Sequence, residues 1–271
     1  MLKKTDFILP LMFVMSLGIF ACSPGGSEAR AVVLPVSVDG TQLFEGLNDL
    51  GWNVAVDALR MAVRNPEFTI EGEVHASLLK RISNWVVPCA YAHPGHYAGG
   101  EVTGELPGDY IVDFTSGDLV LLGNATLLEG DYHGFNLYFR TATSADTLDA
   151  GDPLLNHSIF VSGTATKSDR TISFTIVADQ DAGVSIVGGV FEMNLKEGYN
   201  GSLVIGFENT YLHPENGLES IFDGIDFAAL DEDGDDSVSI IPGDVAHNLF
   251  KKEVIIHDYW KVVPTVEEKN K

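Results

Sequence analysis

The sequence predicts a mainly-β protein: an antiparallel β-sandwich with short helical insertions, the helices mostly near the C-terminus. Three observations predict it. In "WNVAVDA", Trp52, Val54 and Val56 alternate with Asn53, Ala55 and Asp57, the period-2 pattern of a half-buried strand. In "RTISFTIVA", Ile172, Phe174 and Ile176 take one face while Thr171, Ser173 and Thr175 take the other. Turn signals such as "KSDR", "EGDYHG" and "KEGYNG" separate runs of this kind, and many short strands so spaced build sandwiches or barrels.

In chain order, strands are expected in "VVLPVSV" (32–38), "WNVAVDALRMAV" (52–63), "EFTIEGEVH" (67–75), "DYIVDF" (109–114) and "DLVLLGNATLLEG" (118–130). They continue in "GFNLYFRTA" (134–142), "HSIFVSGTAT" (157–166), "RTISFTIVAD" (170–179), "VSIVGGVFEM" (184–193) and "GSLVIGFE" (201–208). Helices are expected in "PENGLESIFDG" (214–224) and "PGDVAHNLFKKEVIIHDYW" (242–260), with "HASLLKRISNWV" (75–86) a further candidate. No long linker and no internal repeat divides the chain, so residues 31–271 read as one β-sandwich domain.

Residues 1–21 read as a signal peptide. Lys3 and Lys4 precede the apolar run "FILPLMFVMSLGIFA", which is shorter than the ~20 residues of a comfortable membrane span. The run ends in "IFAC", the pattern of a bacterial lipobox, with Ile19 first, Ala21 before the cut and Cys22 as the lipidated residue. Phe20 is bulkier than that motif usually has. The other reading is an ordinary secretory signal cleaved near Ala21. With Cys22 lipidated, two or three acyl chains at about 0.8 kcal/mol per buried CH₂ anchor stably where one does not. Ser23 rather than Asp follows, which by lipoprotein sorting rules favours the outer membrane. Residues 22–30, "CSPGGSEAR", read as a lipidated flexible tether. The expected setting is therefore the cell envelope, on its periplasmic or surface side.

The charge narrows the partners. With a net charge of −23 and 45% apolar residues, the chain has enough material for a core and repels phosphate backbones. Nucleic acid is excluded as a natural partner; divalent cations or basic surfaces are favoured. Cys22 and Cys89 are the two cysteines. Once Cys22 carries lipid, Cys89 is left to burial, a metal, or another chain. Catalytic signatures are missing: no Walker loop, GxGxxG, HExxH or CxxC occurs. "GVSIV" ends on Val187 where a nucleophile elbow needs glycine. Nothing in the sequence points to an enzyme.

Two constellations carry metal chemistry. In His93-Pro94-Gly95-His96, proline and glycine suit the two central places of a type II turn, which brings the outer residues within about 7 Å. Two imidazoles so placed can converge on copper or zinc, with Cys89 as thiolate, Glu101 and Glu105 as carboxylates, and His75, His247 or His257 as donors brought in by the fold. A plain surface turn with solvated histidines explains the same residues. In "LDEDGDDSVSI", Asp231, Asp233 and Asp235 stand at places one, three and five of a calcium loop, with Val238 at the apolar eighth. Asp236 replaces the usual glycine at place six and Pro242 stands at place twelve; Gly234 at place four resembles dockerin-type loops, and Asp244 falls two residues late. A solvated acidic turn is the alternative to calcium.

The stretches "GWNVAVDALRMAV", "HPGHYAGGEVTGELPGDYIVDF", "SIFVSGTATKSDRTISFTI", "IFDGIDFAAL" and "DVAHNLF…IIHDYW", in this order, resemble a family of lipoproteins of myxobacteria and their relatives. "LVIGFENTYLHPENGLESIFDGIDFAAL" is also similar to the periplasmic, copper-associated metallo-mystery pair proteins. Those carry a four-cysteine pattern, which this chain does not have, so their copper ligands do not carry over. The first resemblance implies a lipid-anchored β-sandwich without an assigned activity. The function expected is a non-enzymatic binding module, for copper or zinc through the His-Pro-Gly-His turn. The alternative is a structural or cell-surface interaction module with a calcium-stabilised acidic loop.

Overall fold

The computed structural model describes residues 30–42, 44–70, 100–181, 183–213 and 215–266. The strands are β1 (Ala31–Asp39), β2 (Phe44–Leu47), β3 (Asn53–Ile70), β4 (Glu101–Glu105), β5 (Asp109–Asp113), β6 (Leu119–Leu128), β7 (Gly130–Phe139) and β8 (Ile159–Lys167). There follow β9 (Arg170–Ala178), β10 (Ser185–Leu195), β11 (Gly201–Phe207), β12 (Thr210–His213), β13 (Gly217–Ser220), β14 (Ser237–Ile240) and β15 (Trp260–Val266). Two short helices, α1 (Phe227–Leu230) and α2 (Val245–Glu253), lie near the C-terminus, as the sequence leads one to expect.

The long strand β3 organises the molecule. Its first half pairs with β2 and β5 on one side and with β8 on the other, and β8 continues the sheet to β9 and β14. Its second half pairs with β4 and β7. From there the pairings run β4–β6–β1–β11–β15–β10–β7 and return to β3, so that eight strands close on themselves. Two features let one strand serve both regions. A register shift between Val56 and Ala58 reverses the alternation: Trp52 and Val54 are buried before it, Leu59, Met61 and Val63 after it. Farther on, Asn65 stands at φ +43° and Pro66 has no N–H to give, so the ladder breaks and new partners begin. The Asn65 side chain accepts the Gly108 amide at 3.0 Å, which holds the break in place.

The sheet is mixed, which corrects the antiparallel sandwich. β1 and β11, β10 and β15, and β9 and β14 run parallel. Parallel neighbours need long crossovers, and these three pairs join elements remote in the chain, a relation that local periodicity does not encode.

Two helix expectations also need correction. Residues 214–224 contain no helix among the described residues. The hairpin β12–β13 occupies their first half, with Gly217 at φ +88° in the turn. His213 Nδ1 accepts the amides of Glu215 and Asn216, and the Tyr211 hydroxyl donates to Glu219 across the hairpin at 2.5 Å. The His213 contacts and the β12–β13 ladder satisfy locally the backbone groups that a helix would otherwise pair. Within 242–260 only Val245–Glu253 is α-helical; a 3-10 turn at His257–Tyr259 then leads into β15. The expected strands 52–63 and 67–75 merge into the single strand β3, the others appear within a few residues of their place, and the segment 75–86 and the part of the third expected strand beyond Ile70 lie outside the described residues.

The ring is filled. Trp260 is buried, with ring centres of Phe207 at 4.8 Å, Phe114 at 5.8 Å and Phe139 at 6.1 Å. Phe68 and Tyr132 pack on Phe191 in the same way. Eight strands leave room for side chains rather than a channel, and these side chains take that room. A second aromatic group, Trp52, Phe174, Phe222, Phe227 and Phe250, fastens α1 and α2 to the outer part of the sheet, and one contiguous core joins the two. The outward faces of β7 and β10 carry Asp131, His133, Glu192 and Asn194. Among the described residues no helix is long and apolar enough to cross a membrane.

Candidate functional site

The acidic loop is built around one carboxylate. Asp231 follows α1 directly, and its side chain is fully shielded from solvent. Oδ1 accepts the amides of Gly234 at 3.0 Å and Asp235 at 3.1 Å; Oδ2 accepts the amide of Asp236 at 3.0 Å and a hydrogen bond from the Arg170 guanidinium. Wrapping the chain this tightly needs left-handed backbone at Gly234 (φ +72°) and Asp236 (φ +60°), and short polar residues tolerate it best after glycine. Arg170, at the start of β9, also bonds Asp236 at 3.0 Å. β14 leaves the loop in parallel register with β9. The loop thus clamps an edge strand to the sheet. Loss of solvent raises the pKa of Asp231, but the Asp236 amide and the Arg170 charge outweigh it, and the carboxyl lies below the ordinary 3.8.

Asp231, Asp233 and Asp235 each offer an oxygen within 4.8 Å of the others. That spacing fits ligands sharing one Ca²⁺ at about 2.3–2.6 Å each. A carboxylate oxygen has about two lone pairs, however, and both oxygens of Asp231 are already used twice. A cation would have to displace the guanidinium. Asp244 is not in this group: its Oδ2 accepts the Ile241 amide at 2.9 Å and closes the turn before α2. Sequence reasoning singled out the three aspartates and missed Arg170, the built-in counter-charge. It stands in the "KSDR" turn, and only the fold brings it to the loop.

The transition-metal donors fare differently. Cys22, His75, Cys89, His93 and His96 lie outside the described residues. Ile70 and Glu101, which bracket the segment containing the four donors 75–96, are paired across β3 and β4, so both ends of that segment are fixed side by side at one end of the ring. His247 is buried on α2, with Nδ1 3.1 Å from Asn248 Oδ1 and Nε2 without a partner among the described residues. It belongs to no three-donor group there. Glu101 and Glu105 stand exposed at the two ends of β4, and His257 faces Asp258 at 3.5 Å.

A shallow depression of about 370 Å³ lies elsewhere, lined by Gln42, Phe44, Glu45, Glu208, Asn209 and Thr210. Glu45 accepts from Asn53, Glu208 pairs with Lys261, and the buried Asn209 Nδ2 has no partner among the described residues. Its wall offers amide and carboxylate groups but no nucleophile paired with a base. Compared with protein-family models, curated proteins and solved structures, the chain matches none.

Proposed function

We propose that this protein is a lipid-anchored binding module of the bacterial cell envelope, tied to the outer membrane through Cys22 and acting without catalysis. The observation that carries the reading is the "IFAC" junction, followed after a short Gly/Ser-containing tether by a strand-built body that starts at Ala31. The aromatic filling of the ring supports it, because it leaves recognition to loops and surfaces. The binding group proposed is the His93–His96 turn, taking copper or zinc with Cys89, His75 or His247 completing the set. The paired residues Ile70 and Glu101 support this by holding the carrier segment at both ends.

Metal analysis of the purified protein tests it. Stoichiometric copper or zinc, lost in the His93→Ala and His96→Ala variants, is the expected result. An untouched metal content in both variants, or none in the parent, removes the transition metal from the proposal.

A second reading rests on the 4.8 Å clustering of Asp231, Asp233 and Asp235: a cell-surface interaction module whose acidic loop takes calcium. It requires Ca²⁺ to compete with Arg170 and is tested below.

A further inference from the structure

Asparagine is followed by glycine at two places, Asn200-Gly201 and Asn216-Gly217. This dipeptide carries a chemistry of its own. The glycine nitrogen, with no side chain on its residue to shield it, attacks the asparagine side-chain carbonyl wherever the backbone between them is free to turn. The fold treats the two places differently.

Gly201 opens β11 and pairs with Val266 of β15 in the closed ring. A Cβ there would lie 1.9 Å from the Thr265 carbonyl oxygen and 2.9 Å from the Tyr199 ring, whose hydroxyl donates to that same oxygen at 3.1 Å. Turning the peptide before Gly201 means parting β11 from β15. Gly217 opens β13, which among the described residues pairs with β12 alone, in a two-stranded sheet of four residues a side. Such a hairpin is marginally stable by itself and opens locally at small cost. Apart from its chain neighbours, nothing lies within 4 Å of the place a Gly217 Cβ would take, and Asn216 beside it is exposed. Asn216 Nδ2 donates to Glu219 Oε1 at 2.7 Å, which turns the side chain toward β13, the side on which the Gly217 nitrogen lies.

We infer that Asn216 is a site of spontaneous modification, where the Gly217 nitrogen closes on the Asn216 side chain and hydrolysis leaves aspartate or isoaspartate at the tip of the hairpin. A bond forms between the Gly217 nitrogen and Asn216 Cγ, and the bond from Cγ to Nδ2 breaks. The Gly217 amide proton passes through solvent to the departing nitrogen, which leaves as ammonia. Water then opens the five-membered imide. Cleavage at Cγ gives aspartate; cleavage at the backbone carbonyl gives isoaspartate, whose main chain is one carbon longer.

Either product puts a carboxylate where an amide donated to Glu219. Burial raises the pKa of Glu219, and the hydrogen bonds from Tyr211 and Asn216 outweigh it, so the reaction removes one of those donors and adds a like charge beside it. Glu219 also accepts the Tyr211 hydroxyl across the hairpin at 2.5 Å. The modification therefore loosens this tie, and isoaspartate also shifts the pairing of His213 with Gly217. The change is one-way and accumulates as the molecule ages, independently of lipid or metal.

The test incubates the full mature protein at mildly alkaline pH, folded and in denaturant, and follows Asn200 and Asn216 together by peptide mass spectrometry. In the folded protein Asn216 should convert at least about ten times faster than Asn200, the ratio given by a difference of about 1.4 kcal/mol in opening cost. In denaturant, where the fold no longer distinguishes them, the two rates should converge. Equal rates in the folded protein, a faster Asn200, or conversion of Asn216 in denaturant alone would each overturn the inference. Asn216→Gln, whose longer side chain cannot close the five-membered ring, should lower the isoaspartate counted by an isoaspartyl methyltransferase about tenfold. An unchanged isoaspartate content in that variant would place the reaction elsewhere. Limited proteolysis reads the consequence: aged parent should be cut within 210–220 faster than fresh parent, and aged Asn216→Gln should not. Converted parent cut no faster than fresh would overturn the loosening of the hairpin.

Discussion

Asp146 and Asp231 show how this acidic chain holds its carboxylates in place, by giving each an arginine. The Arg140 guanidinium grips Asp146 through two hydrogen bonds, of 2.5 and 2.9 Å, and both side chains are close to fully buried. That bonding outweighs the loss of solvent and holds the Asp146 carboxyl below 3.8, as Arg60 does for Asp152. A carboxyl whose pKa is lower folded than unfolded contributes stability above the unfolded value and loses it as pH falls toward the folded one. Asp223 works the other way, since burial raises it above 3.8, but it stands against five lowered groups, Asp39, Asp146, Asp152, Glu219 and Asp231. The melting temperature should therefore fall as the pH drops below 3.8, and the fall should be shallower in Asp146→Asn. At neutral pH that substitution leaves the Arg140 charge without its main partner, at a cost of about 3 kcal/mol in denaturant unfolding. A variant as stable as the parent would remove the pair from this account.

The same scale decides the calcium reading. Because Arg170 fills the cation's place on Asp231, adding Ca²⁺ should leave the melting temperature of the parent nearly unchanged. Arg170→Gln keeps a donor but removes the charge, and its melting temperature should rise with Ca²⁺ and fall back with chelator. A parent protein already melting several degrees lower in chelator would favour the calcium-held loop over the arginine-held one. The three aspartates were legible because the one-three-five spacing is local. Arg170 was not legible, because sixty-one positions separate it from Asp231 and no periodicity links them.

Elements were legible in proportion to how local their cause is. β8 alternates buried with half-buried residues and β9 buried with more exposed ones, without a break, and the sequence reading of Ile172, Phe174 and Ile176 matches their burial. In β3 the same rule worked only as far as Val54, since the shift at Val56 and Ala58 exchanges the two faces without any change in composition. β14 escaped notice because four residues following an acidic turn give too little alternation, and β15 because the 3-10 turn His257–Tyr259 at its start extends the helical pattern of Val245–Glu253. The hairpin at 210–220 was misread through its mixed polar and apolar content, although Asn216-Gly217 is a turn signal in its own right. The break at Asn65 is the element-level feature most open to test. Asn65→Val places a β-branched residue at φ +43° and removes the bond to the Gly108 amide, so unfolding should become easier by roughly 1–2 kcal/mol. Asn65→Gly, which accepts that φ, should lose less. Equal stability of Asn65→Val and the parent would mean that the break is not strained.

At the scale of the whole molecule, the sequence indicated a β-rich body with helices toward its end, and not the way the strands close. Ring closure depends on β15, the last strand, entering between β10 and β11, and on β1 running parallel to β11; both are long-range choices that hydrophobic patterning leaves open. The candidate site was less legible still. Its histidines and Cys89 occupy a segment whose ends the fold fixes at Ile70 and Glu101, while the counter-charge of the acidic loop comes from the neighbouring strand β9, remote in the chain. What joins these parts into one account is the lipid proposed on Cys22, which gives the body an address and the histidine turn a compartment. The intact mass of the mature protein and of its N-terminal peptide, isolated from bacterial membranes, tests this most directly. The account predicts a chain beginning at Cys22 and carrying at least a diacylglyceryl group. A mature chain that begins elsewhere, or a Cys22 peptide without fatty acid, would contradict it.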